Sequence, residues 1–146
     1  PILIMQSLGT KRSILDASEE ADGVFSGMSV QEASARCPRG LFLEADLSAY
    51  SKAFTDILIA LENRSPFVED AGLGTAYVDL TGLNELYGGE ARIITTLVSA
   101  LPEIFTPQVG VAHGKYLAFI AAMMAHPNGA IQPPDNIQKF FQKLRY

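Results

Sequence analysis

At 146 residues the chain has room for one domain or two small lobes. Its 48% apolar and 18% charged residues can bury a sizeable core, which excludes a disordered segment. A net charge of −5 excludes a surface that grips phosphates by bulk charge alone, and the lone Cys37 excludes an internal disulfide. The lone cysteine has no metal-spaced partners and points to a reducing compartment. The longest apolar run, Tyr116 to Ala125, is about half of what a bilayer span needs, so no membrane association is expected.

Taken in chain order, the apolar runs Ile2–Met5 and Ser13–Asp16 flank the polar Gly9-Thr10-Lys11-Arg12 and predict a hairpin. Ser29 and Glu32 form a capping box that opens a short helix ended by Pro38. Leu41–Leu43 reads as a strand. Asp46 then caps a helix on which Tyr50, Ala53, Phe54, Ile57, Leu58 and Leu61 recur at helical spacing. Phe67–Glu69 and Thr75–Leu80 flank Gly72 and Gly74 as a second hairpin, with Thr75, Tyr77 and Asp79 on one face. A further amphipathic helix runs from Ala91 to Leu101 and stops at Pro102. Val109–Ala112 reads as a buried strand, and Lys115–Ala125, apolar nearly all round, as a buried helix. Pro127-Asn128-Gly129 ends it, and an Asp135/Gln138 capping box opens a last short helix. The order implies an α+β fold with a helix-backed, largely antiparallel sheet.

Several stretches carry a resemblance. Residues 72–82 read Gly-Leu-Gly-Thr-Ala-Tyr-Val-Asp-Leu-Thr-Gly. Ser65-Pro66-Phe67-Val68-Glu69 precedes them and Leu86-Tyr87-Gly88 follows. Ala17 to Ala21, Gly27-Met28-Ser29 and Cys37-Pro38 lie upstream; Tyr50-Ser51, Val109-Gly110-Val111-Ala112 with Lys115, and Pro127-Asn128-Gly129 complete the set. In order and spacing this set resembles the Y-family (translesion) DNA polymerases, of the DNA polymerase IV and UmuC type. The resemblance implies a polymerase palm-like, ferredoxin-like antiparallel sheet backed by helices, a small fingers lobe and the start of a helical thumb. It assigns residues 1–45 to fingers, 46–126 to palm without its first strand, and 127–146 to the start of the thumb. The start at Pro1 and the end at Leu144-Arg145-Tyr146 are read as those of an excised piece.

The same resemblance marks what is lost. The family's catalytic stretch reads Ser-Ile-Asp-Glu-Ala-Phe-Leu-Asp-Val-Thr-Gly, and its metal-serving Asp-Glu pair falls on Gly74 and Thr75. Two-metal phosphoryl transfer needs carboxylate oxygens, which glycine and threonine do not offer. The family's triphosphate-contacting fingers Tyr and Arg fall on Glu19 and Asp22, acids that would repel a phosphate. Lys115 falls on the family's phosphate-binding lysine and is the nucleotide phosphate-binding candidate, against the plainer reading of an exposed lysine that contacts nothing. The remaining candidate metal ligands are Asp79 and Asp70. Asp79 is read as a turn-forming hydrogen-bond acceptor, and Glu69-Asp70 as a solvated pair of which at most one could join Asp79. His113 and His126 have no companions at zinc spacing.

The expectation is therefore a catalytically inactive accessory scaffold of the ImuB type, in DNA repair, translesion synthesis and SOS (damage-induced) mutagenesis. No cofactor is expected for this piece, and Mg²⁺ only if it is active. The implied partners are primer-template DNA through the longer parent protein, the sliding clamp and a catalytically active polymerase, in the bacterial cytoplasm at the nucleoid. Two alternatives stand beside it: an active error-prone nucleotidyltransferase with a rearranged metal site, and an interaction module that does not bind DNA.

Overall fold

A computed structural model of the protein describes residues 1–132. The chain divides into two compact units, Pro1–Ser51 and Lys52–Tyr146.

In the first unit β1 (Ile2–Leu8) and β2 (Lys11–Ala17) form the expected antiparallel hairpin, turned at Gly9, whose φ of 62° favours glycine. β3 (Leu41–Glu44) joins the other edge of β1 in parallel, with Ile2 opposite Leu41 and Ile4 opposite Leu43. Alternation along the strands sends Leu3 and Ile14 inward, both 0% exposed, against Ala21, Met28, Ala33 and Cys37. Cys37 is thus a small core residue. Helix α1 (Val30–Arg36) starts where the Ser29 hydroxyl accepts the Glu32 N–H at 3.2 Å. The Glu32 carboxylate turns forward to Arg36 (2.9 Å) rather than back to the cap. Arg36 also donates to the Gly23 carbonyl at 3.0 Å, fastening the loop after β2.

Helix α2 (Leu47–Glu62) opens with the Asp46 carboxylate accepting the Ala49 N–H at 2.9 Å and buries Phe54 and Leu61. In the second unit β4 (Val68–Asp70) and β5 (Ala76–Val78) form the second hairpin, antiparallel, with the first strand shifted by one residue and the second shorter than predicted. Two short helices follow, α3 (Leu83–Tyr87) and α4 (Glu90–Ser99). The chain passes between them through Gly88 and Gly89, both at positive φ, whose N–H groups return to the Asn84 carbonyl. β6 (Val109–Gly110) pairs in parallel with β7 (Ala130–Ile131), and α5 (Lys115–Met124) lies on them. A β-carbon at Gly110 would stand 2.0 Å from the Ala118 carbonyl oxygen, so the strand approaches the helix backbone through glycine.

The α+β class holds, but the expected single sheet resolves into three small ones, with two antiparallel and two parallel pairings among the described residues. α5 corrects a second expectation. Only Ala121 is buried along it, while Tyr116 and Met123 are 68% and 65% exposed. One helical face of small residues packs closely on Gly110, while Leu117, Ile120 and Met124 are half-buried and Tyr116, Phe119 and Met123 exposed. The predicted helix after the Asp135/Gln138 box lies outside the described residues.

Candidate functional site

The β4–β5 hairpin carries the stretch from Gly72 to Gly82 that the family resemblance singled out. Its base is pinned by Ser65, only 2% exposed, whose hydroxyl donates to the Asp79 carbonyl at 3.2 Å. The Asp79 N–H returns to the Phe67 carbonyl at 3.0 Å. Along the ladder Val68 faces Val78, Glu69 faces Tyr77 and Asp70 faces Ala76. Cross-strand partners share a face, so Glu69 and Tyr77 lie together and Asp70 on the opposite face.

At the tip, Gly72 and Gly74 take φ of 106° and 86°, a region L side chains rarely adopt. The Thr75 N–H closes the turn on the Gly72 carbonyl at 2.9 Å. Asp70 accepts the Gly72 N–H at 2.8 Å, and Asp79 accepts the Thr81 N–H at 2.9 Å, each a side-chain turn two residues ahead. The Thr81 side chain and then its N–H hold the Asp79 carboxyl below its ordinary range. Asp79 thus has the turn role expected of it, and the hairpin does not bring Asp70 and Asp79 together.

These residues do not fit a pair of catalytic metal ions. Gly74 has no donor and Thr75 a neutral hydroxyl, and Asp70 and Asp79 each spend an oxygen on the backbone from opposite faces. No group of three His, Cys, Asp or Glu side chains among the described residues is arranged to hold a metal.

Lys115 opens α5, where helix-terminal N–H groups favour an anion. It does contact something. Its Nζ hydrogen-bonds Glu69 Oε2 and stands 5.7 Å from the centre of the Tyr77 ring. The two charged side chains keep 60% and 54% of their surface exposed, so solvent screens the pair and the lysine stays reachable. Glu69 is therefore not half of a solvated Glu69-Asp70 pair. Glu19 and Asp22 are exposed in the turn that follows β2.

Sequence reasoning missed both Glu69 as the partner of Lys115 and the ring of Tyr77 beside them. The pair is separated by 46 positions, and only the register that puts Glu69 opposite Tyr77 would have signalled it. It also missed the Tyr87 hydroxyl, which donates to the Arg64 carbonyl at 2.8 Å and ties α3 to the end of α2.

The model of the impB/mucB/samB family matches residues 1–123. The chain belongs to this family of Y-family DNA polymerases. Among its impB/mucB/samB relatives, DNA polymerase IV of Pelotomaculum thermopropionicum is 36% identical over 120 residues, 80% of this chain and 30% of the relative. DNA polymerase IV of Dehalococcoides mccartyi is 30% identical over 146 residues, 97% of this chain and 37% of the relative. The fold is similar to that of DinB from Sulfolobus solfataricus, with a TM-score of 0.76 and 28% identity over 96% of this chain and 43% of that one. It is equally similar to Dbh DNA polymerase in a post-insertion binary complex, with a TM-score of 0.77, 27% identity, and 95% of this chain against 42% of that one. The chain thus spans well under half the length of these relatives.

Proposed function

We propose that this chain is the fingers and palm portion of a Y-family polymerase-like protein that has lost nucleotidyl transfer and serves as an accessory scaffold. On this reading residues 1–45 are fingers, 46–126 palm lacking its first strand, and 127–146 the beginning of the thumb. The carrying observation is the hairpin tip, where Gly74 and Thr75 stand at the positions of the family's acid pair and neither neighbouring aspartate is disposed to replace it. Metal ions held by carboxylates normally neutralise the charge of the transferring phosphate, the largest part of catalysis in this chemistry. The reading extends to an ImuB-type role in translesion synthesis and damage-induced mutagenesis, in the cytoplasm at the nucleoid. The full protein would hold primer-template DNA beside a catalytically active polymerase and the sliding clamp, with Lys115 retained as a phosphate contact. Mg²⁺ would be needed only if activity survived.

The acidic balance favours one competitor, an interaction module that never touches DNA. Primer extension by the full-length protein in Mg²⁺ and in Mn²⁺, beside primer-template anisotropy, separates these readings. The scaffold binds without extending. Extension blocked by Asp79→Ala would return the protein to the active polymerases. Absence of binding at any salt concentration would favour the interaction module.

A further inference from the structure

Glu69, Lys115 and Tyr77 form a three-part contact between the β4–β5 hairpin and the start of α5. The hairpin register places Glu69 directly across from Tyr77. Lys115 reaches from the first position of α5 to place its ammonium on the Glu69 carboxylate, beside the Tyr77 ring. An ammonium has three N–H donors and one positive charge. Here the charge is already matched by a carboxylate of the same chain.

We propose that Glu69 is a built-in competitor for anions at Lys115, so that a polyphosphate group gains the lysine only by displacing a carboxylate. The inference rests on the reading of Lys115 as a phosphate contact and concerns how that contact is regulated. Three observations carry it. The pair is more than half exposed on both sides, so it can open without unfolding anything. Glu69 sits on a strand fixed by ladder hydrogen bonds, so its carboxylate is always at hand and its effective concentration does not fall. The Tyr77 ring keeps the open lysine close to the hairpin, because its face attracts the ammonium whichever anion is bound. The consequence is a weak, salt-sensitive site that discriminates against single phosphates. A monoanionic phosphate would merely replace one carboxylate by an equivalent charge, whereas tripolyphosphate brings several charges to bear against the same competitor.

The test is a titration of the 146-residue chain with inorganic phosphate and with tripolyphosphate at low salt, followed through the Lys115 side-chain NMR signal. Glu69→Gln keeps the shape and removes the charge. It should tighten tripolyphosphate binding about two- to five-fold, the range a solvent-exposed ion pair can supply, and narrow the preference over inorganic phosphate. Glu69→Asp, which withdraws the carboxylate by one methylene, should fall between Gln and wild type and provides a second variant if Gln perturbs the hairpin. Equal affinity in wild type and both variants, with binding still lost in Lys115→Gln, would overturn the competition while leaving the phosphate contact standing. Binding unaffected by Lys115→Gln would remove the phosphate contact itself, and the competition with it.

Discussion

The two units of this chain solve the problem of burying a sheet in opposite ways. Pro1–Ser51 wraps a three-stranded sheet around one apolar cluster, with Leu3 and Ile14 at its centre and α1 contributing Ala33. Among the described residues from Lys52 onward the strands are two or three residues long and come in separate pairs, and burial falls on scattered residues such as Leu83, Ile93 and Ala121. The same unit leaves Ile104, Leu86, Tyr116 and Met123 largely exposed. The first unit is held by side-chain packing. The second combines the packing of Phe54, Leu61, Leu83 and Ile93 with backbone devices: glycines at positive φ, a glycine that lets a strand touch a helix, and a buried serine pinning a hairpin. On the proposed reading the family's chemistry belongs to that second unit, at the tip that carries Gly74 and Thr75.

The sharpest way to break the comparison is to remove packing where packing matters most. Leu3→Ala leaves a cavity at the centre of the first cluster and should cost about 2–5 kcal/mol in urea denaturation. A loss much below that would mean the cluster collapses easily. In the second unit the corresponding blow is an added atom rather than a deleted one. Gly110→Ala forces a β-carbon onto the backbone of α5 and should cost about 1–3 kcal/mol or more, with loss of amide protection along Lys115–Met124 in hydrogen exchange. Protection at the wild-type level would show that strand and helix can separate cheaply.

Gly74→Ala isolates the turn. The added β-carbon meets nothing within 4 Å, so any cost comes from the φ of 86° alone and should be about 1 kcal/mol. A neutral effect would mean the tip relaxes readily and that an acid could be restored there without strain.

The smallest effect is electrostatic. Hydrogen bonds from Thr81 lower the Asp79 pKa in the folded state from an ordinary 3.8. Its contribution is complete above that ordinary value and is lost as the pH falls through the lowered folded value. Asp79→Asn should therefore slightly lower the neutral plateau of a Tm-against-pH profile and flatten its acid limb, the two curves converging in acid. An unaltered acid limb would remove Asp79 from the turn's stability.

Local signals were legible in the sequence and non-local ones were not. The Ser29 and Asp46 caps, the Gly9 turn and the Gly72–Gly74 tip each depend on residues within four positions and are present, although Glu32 turns to Arg36 instead of closing the box with Ser29. The parallel pairing of β1 with β3 spans nearly 40 positions and has no turn to announce it. Helix α3 has five residues, too few for a periodic pattern, and β7 has two. Lys115–Ala125 has the composition of a buried helix, but composition does not say how much neighbouring surface exists to bury it. At the site, the glycine turn around Gly74 and Thr75 follows from the local sequence. The ion pair that occupies Lys115 needed the hairpin's register.

The measurement closest to the central claim is a Mn²⁺ titration of the isotope-labelled chain, reading paramagnetic broadening residue by residue. The account predicts that the Asp70–Asp79 hairpin broadens no more than other exposed acids of the chain, such as Glu62 and Glu103. Selective broadening centred on Asp70, Asp79 or Thr75 would show a metal seat in the hairpin and contradict the loss of its chemistry.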